Sequence, residues 1–483
     1  MYKSKSKVLF ILMAILIVAK PSLGQTSTAT NTLEKEIEMY MAASIKHDYF
    51  SGSILLAKNG NIIYQKGYGL ANIEHNVPNK INTVFLIGSI AKQFTALATL
   101  QLAELGKLNI NDTIGKYIKN SPHSWRQITI KNLLNQTSGI MNYSRLPDWD
   151  EKHSIQPYTP KELIDLVRHL PLLFNPGEKY NYSNTNYDLL AMIIENVSGM
   201  SYHNFLEENI FNPLGMKSTG PTSPSQVIQN RASGYYTKLN SFVNAPYENS
   251  ENSIGSGSIL STLADLLLWD QALYSTKLVS AKTIEEMSTP FKGNYGYGTE
   301  NYQMFDKRTI GHAGSQNGFS SLLLRYPEER ITIIVLSNSD KASGNRVGKD
   351  LLAIMLNKPY KNPEVSVSAI LAEEYKKSGT EHTLKLFEKL KNTDGRKLDE
   401  EEVLVELGYD ILDLKKTKDA IKILTYVTKA KPTSSFAHDY LGDAYLQDGN
   451  YEMANFYFKK ALELDPSNKY ATNGLRKIQA IKK

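Results

Sequence analysis

The chain has 483 residues, of which 41% are hydrophobic and 22% charged. That composition describes a folded protein of two or more domains and excludes a disordered chain. It has no cysteine, which excludes disulfides, thiolate metal sites and a lipidated cysteine anchor. The formal charge of +6 falls to +2 without the lysines at 3, 5, 7 and 20, because residues 1–24 carry no acid. Nothing in that balance points to nucleic acid.

Residues 1–24 read as an export signal. Lys3, Lys5 and Lys7 precede an apolar run from Val8 to Ala19, and Ser22-Leu23-Gly24 offers small residues at a cut. Such a run is short for a bilayer crossing. The expectation is an exported chain, periplasmic or secreted, and membrane-anchored only if the signal is retained. Leu33 to Asp48 then reads as an amphipathic helix. Gly52 to Lys58 and Asn61 to Lys66 are β-rich runs joined by Asn59-Gly60, a hairpin signal. Ser89 opens a helix ending near Leu105-Gly106, and another runs from Asn186 to Val197 with Gly199 beyond it. Ser320 to Tyr326 and Arg330 to Ser337 form a second hairpin pattern, followed by a helix from Val347 to Leu356. This order predicts one α/β (α+β) domain over 25–357, its sheet assembled from both ends of the segment around a helical middle.

Residues 358–366, with Pro359 and Pro363, read as a linker. Residues 367–483 are all helical in character and carry an internal repeat. Leu441, Gly442, Tyr445, Ala454, Phe458, Ala461 and Pro466 fall at tetratricopeptide spacing. A shift of 34 residues lands on Leu407, Gly408, Ile411, Ala420, Leu424, Val427 and Pro432. Repeats are therefore expected at 401–434 and 435–468, with a degenerate helix pair at 367–392 before them and a capping helix at 470–481. Such arrays hold peptides in a concave groove; bracing of the first domain, or of a dimer, is the alternative.

Ser89-Ile90-Ala91-Lys92 places a hydroxyl and an amine one helical turn apart. A serine hydroxyl becomes nucleophilic when a neighbour takes its proton, and a buried amine can do so. Ser89 is followed by Tyr182-Ser183-Asn184 and then by His312-Ala313-Gly314, which precedes the strand at Ser320; Gly314 alone reads as turn chemistry. In this order the chain resembles the serine β-lactamase and penicillin-binding-protein superfamily, specifically its class C β-lactamase, DD-peptidase and esterase branch. That branch carries Ser-x-x-Lys, Tyr-x-Asn and Lys/His-x-Gly. Leu133-Leu134-Asn135-Gln136-Thr137-Ser138-Gly139, Pro176-Gly177 and Gly255-Ser256-Gly257-Ser258-Ile259 leading to Asp265 and Trp269 support it. The resemblance covers roughly residues 33–357.

The resemblance implies a β-lactamase/transpeptidase-like fold with an antiparallel sheet and a helical subdomain. It makes Ser89 the acylated nucleophile, Lys92 the group that takes its proton, and Tyr182, with its pKa lowered by Lys92, the proton relay. Asn184 would hold Lys92 and the substrate, and His312 would border the opposite wall. The backbone N–H groups of Ser89 and of Ser315, after Gly314, would form the oxyanion hole. Ala313 stands where relatives acting on β-lactams or peptidoglycan often have a threonine, so esters, amides or D-amino-acid peptides are favoured as substrates; Ser315 could replace that hydroxyl in part. The alternatives are a penicillin-binding DD-carboxypeptidase, a true β-lactamase, or a non-catalytic binding protein acting through its repeats. No metal or cofactor is expected. The expected partners are a small-molecule or peptide substrate in the cleft and a protein or peptide at the repeats.

Overall fold

The computed structural model describes residues 24–223, 225–391 and 398–481. The export signal read at residues 1–24 lies outside them, apart from Gly24. The first helix, α1, spans Gly24–Asp48. Strands β1 (Gly52–Lys58) and β2 (Asn61–Tyr68) form the expected hairpin. Asn59 and Gly60 both take positive φ, 53° and 76°, as a tight primed turn demands. Helices α2 (Ala91–Glu104) and α3 (Asn184–Ser198) follow. After them come a small hairpin, β3 (Tyr235–Lys238) and β4 (Ser241–Asn244), and helix α4 (Leu263–Ala272). Strands β5 (Glu300–Met304), β6 (Lys307–Gln316), β7 (Phe319–Tyr326) and β8 (Ile331–Ser337) lead to α5 (Gly344–Met355).

The main sheet has the order β5-β6-β7-β8-β1-β2, and its pairs are antiparallel. Joining β1 to β8 closes it from both ends of the domain, as the sequence order implied. Side chains along each strand sort by the two-residue period. Ile54 and Leu56 of β1, with Ile333 and Val335 of β8, pack under α1 and α5. Leu55 and Ala57, with Ile334 and Leu336, face the helical lobe that contains α2, α3 and α4. Both faces are thus buried, and each such Leu or Ile contributes about 1.5–3 kcal/mol on leaving water.

The structure corrects the reading of the third motif. His312-Ala313-Gly314 precedes the strand at Ser320 as read, but Gly314 is not in a turn; the motif lies within the ten-residue β6. The run Lys-Arg-Thr-Ile-Gly-His-Ala-Gly-Ser-Gln has no clean polar–apolar alternation and two glycines, so strand propensity hides it.

Residues 358–366 are irregular as expected, yet Tyr360 of that stretch packs edge-on to Tyr40 of α1 at 5.8 Å. Beyond it lie α6 (Val367–Lys391, broken at Gly379), α7 (Glu400–Asp413), α8 (Thr417–Ala430), α9 (Ser435–Gln447), α10 (Tyr451–Leu464) and α11 (Lys469–Ile481). The helix pairs α7–α8 and α9–α10 fall where the two repeats are expected, with α6 before them and α11 after them. A Cβ on Gly442 would stand 2.7 Å from the Phe458 ring, so only glycine lets α9 and α10 close on it.

The two domains are joined by more than the linker. Leu239, at the tip of the β3–β4 hairpin, is buried among Leu371, Leu407 and Ile411 of the helical domain. Beside it Lys238 bridges Asp410 (3.2 Å) and Asp413 (3.1 Å).

Candidate active site

The site forms where the start of α2 meets β6. Gly88 takes a left-handed φ of 52° and turns the chain so that Ser89 enters α2 through a single 3₁₀ turn. Lys92 lies one turn on and is fully buried. Its Nζ is 2.9 Å from Ser89 Oγ, 2.9 Å from Asn184 Oδ1 and 2.8 Å from the Ser256 carbonyl oxygen. Burial pushes the Lys92 amine down to about 7, against the pull of Asp188 and Glu300. A neutral amine fits these partners: it donates to Asn184 and Ser256, and its lone pair accepts the Ser89 hydroxyl proton. That is the geometry of a base poised on a nucleophile.

Tyr182 lies close to Ser89 and lines the same cleft. The Lys92 ammonium position lies 4.8 Å from the Tyr182 ring centre. The expectation that Lys92 lowers the Tyr182 pKa fails. Burial raises the phenol well above its usual value, offset only in part by the Ser89 hydrogen bond. The surroundings explain this: Tyr182 packs edge-on to Tyr295 at 6.0 Å and beside His312, with Glu300 adding repulsion. Tyr182 is therefore a proton donor at neutral pH and not a phenolate base.

His312 is buried, and both ring nitrogens are engaged. Nδ1–H donates to the Ala313 carbonyl at 2.6 Å, and Nε2 accepts from the Tyr295 hydroxyl at 3.0 Å. Desolvation lowers its pKa, so it is a neutral wall with no free nitrogen for a substrate. Gly314 is required by close approach, not by a turn: a Cβ there would stand 2.0 Å from the Ile87 carbonyl oxygen. This approach carries the Ser315 amide alongside Gly88, 2.9 Å from where a Gly88 Cβ would be. The Ser315 amide thus lies against the residue that precedes Ser89.

These groups border a cleft of about 790 Å³ lined by Ser89, Tyr182, Asn184, His312, Gly314 and Ser315 among others. Among the described residues, no group of three His, Asp or Glu side chains is placed to hold a metal. A β-lactamase family model matches residues 33–356 of this chain. The chain belongs to the β-lactamase family.

Penicillin-binding protein 4* of Bacillus subtilis (strain 168) is 33% identical to this family member over 345 residues, spanning 66% of this chain and 75% of the relative. The octameric penicillin-binding protein homologue from Pyrococcus abyssi superposes with a TM-score of 0.61 at 29% identity, covering 71% of this chain and 81% of that one. A D-stereospecific amidohydrolase from Streptomyces sp. superposes with a TM-score of 0.55 at 25% identity, covering 67% and 97%. A tetratricopeptide-repeat model matches residues 435–468, the second expected repeat.

Several residues of the β-lactamase-type site escaped sequence reasoning. Asp188 sits one turn after Asn184 on α3; it accepts from Tyr143 Oη at 2.7 Å and from the Gly255 amide at 2.9 Å. Those bonds clamp the loop that offers the Ser256 carbonyl to Lys92. A carboxylate on the buried face of an otherwise apolar helix was the available signal. Gln136 accepts from the Ser183 amide at 3.0 Å and from Asn186 Nδ2 at 2.6 Å, so the Leu133–Gly139 motif holds the Tyr182–Asn184 segment in place.

Proposed function

We propose that this β-lactamase-family protein is an exported serine hydrolase that cleaves ester or amide bonds through an acyl-enzyme on Ser89. Lys92 takes the Ser89 proton as Oγ attacks the carbonyl carbon. The negative charge that develops on the carbonyl oxygen meets the Ser89 and Ser315 amides. As the carbon–oxygen or carbon–nitrogen bond breaks, Tyr182 donates a proton to the leaving group and is reprotonated from Lys92. Water then attacks the ester carbonyl and gives a proton to Lys92; the bond between the acyl carbon and Ser89 Oγ breaks, the proton returns through the same relay to Oγ, and the acid leaves. The 2.9 Å contact between Ser89 Oγ and a lysine driven towards its neutral form carries this reading.

The test is p-nitrophenyl ester hydrolysis by wild type and Ser89→Ala, with intact mass recorded after penicillin is added. Turnover that vanishes in Ser89→Ala, at an unchanged melting temperature, supports the reading; retained turnover overturns it. The likeness to proteins named as penicillin-binding supports a second reading, a DD-carboxypeptidase, for which a lasting penicillin adduct on Ser89 is the signature. Ala313 favours the first reading, because a side chain without a hydroxyl offers nothing to a substrate carboxylate. Export is supported by the basic and apolar run over residues 1–24, and recovery of the native chain in the cytoplasmic fraction would overturn it.

A further inference from the structure

The cleft has a one-sided charge. Its lining includes Glu248, Glu300 and Asp340 and no lysine or arginine, and His312 is held neutral. Two of the three acids have structural work. Glu300 accepts from the Ala313 amide at 3.3 Å and from the Tyr302 hydroxyl. Asp340 accepts from the Thr237 amide at 2.9 Å and lies near Lys238 and Lys341. Glu248 is different. Burial raises it to about 7, the Asn317 backbone amide is its one stabilising neighbour, and Asp150 repels it. No ion pair with a cation holds it among the described residues.

Other acceptors without donors line the same cleft. Gln316 Oε1 and Asn345 Oδ1 are buried and have no hydrogen-bond partner. A buried acceptor left unpaired costs about 1–3 kcal/mol, more when it is charged. A half-buried carboxylate that lines the cleft without a counter-ion calls for one kind of guest, a cation with N–H donors. A carboxylate guest near Glu248 would meet repulsion.

We propose that Glu248 binds a primary ammonium on the substrate, so that the enzyme acts on esters or amides bearing a free amine and rejects those bearing a carboxylate. This rests on the acyl-enzyme reading above. The ammonium and the Glu248 carboxylate form a charge-assisted hydrogen bond that neutralises both.

The experiment compares alanine p-nitroanilide with its N-acetyl derivative, in both enantiomers, using wild type, Glu248→Gln and Ser89→Ala. Wild type should favour the free amine in kcat/KM. Glu248→Gln should shrink that preference by roughly tenfold to a hundredfold, the scale of one charge-assisted hydrogen bond, mainly through KM. An unchanged ratio in Glu248→Gln, or a wild type that favours the acetylated compound, overturns the proposal. If neither compound is turned over, binding of alanine amide and N-acetylalanine amide to Ser89→Ala, measured by calorimetry, decides the subsite independently of chemistry. Binding of the free amine that is lost on adding Glu248→Gln supports it; equal binding of the two amides, or none, overturns it. A fault in the acyl-enzyme reading would show instead as ester turnover insensitive to Ser89→Ala.

Discussion

At the scale of single residues, the site divides proton traffic between two groups moved in opposite directions by the same force. Burial penalises the charged form of each, so it lowers the Lys92 ammonium to about 7 and raises the Tyr182 phenol. Lys92 becomes a base available near neutrality, while Tyr182 keeps its proton. The sign of the pH dependence follows. Only the neutral amine accepts the Ser89 proton, so kcat/KM for a neutral ester should rise with pH through neutrality. On the acid side it should fall about tenfold per pH unit. No alkaline fall should appear within the ordinary tyrosine range, because the Tyr182 phenol titrates above it. A stopped-flow profile from about pH 5 to about 11 checks both; a flat acid limb would remove Lys92 from the role of base.

At the scale of elements, precision comes from backbone contact where β6 passes the start of α2. Ser321 Oγ donates to the Ile87 carbonyl at 2.8 Å, and Gly314 leaves that carbonyl no room for a Cβ. Gly314→Ala should therefore force β6 away from Ile87, at a cost of about 1–3 kcal/mol, and shift the Ser315 amide relative to Ser89. Misplacement on the ångström scale costs roughly 10²-fold in rate. A variant that melts a few degrees lower and loses ester turnover on that scale fits; wild-type turnover would show the approach is not needed. The same junction shows what was legible in the sequence. Ser89, Lys92 and Asn184 could be placed because Ser-x-x-Lys and Tyr-x-Asn sit at helix starts, where spacing fixes geometry. The hairpin at Asn59-Gly60 could be placed because its turn demands those residues. Strand β6 could not, since a glycine set by contact with Ile87, far away in the sequence, looks like a glycine set by a turn. The Tyr182 pKa was misjudged because neighbours such as Tyr295 and His312 have no sequence proximity to it. Glu248 lies in an irregular loop and carries no local pattern at all.

At the scale of the molecule, the repeats reach the cleft through one hairpin. The β3–β4 turn is Leu239-Asn240, with φ of 43° and 59°. A leucine in left-handed conformation costs about 1–2 kcal/mol, and sequence rules that seek Asn-Gly pass over it. The conformation persists because the turn docks: Leu239 is buried in the helical domain, and its amide donates to Asp410 Oδ2 at 3.0 Å. From the same hairpin, Tyr236 donates to Asn317 Oδ1 at 2.9 Å, and both residues line the cleft at the Glu248 end. Leu239→Gly separates local from global stabilisation by its sign. In a free-standing hairpin the glycine would relieve strain and stabilise. In the docked hairpin it deletes a buried leucine, a loss of about 2–5 kcal/mol, and the relief offsets only part of that. The full-length variant should be less stable by about 1–3 kcal/mol, read as a lower melting temperature. If the hairpin also sets the cleft wall, KM for an amine-bearing substrate should rise while kcat for a small ester holds. A lower melting temperature with unchanged KM would leave the repeats as a brace. A higher melting temperature would mean that the hairpin does not depend on the helical domain.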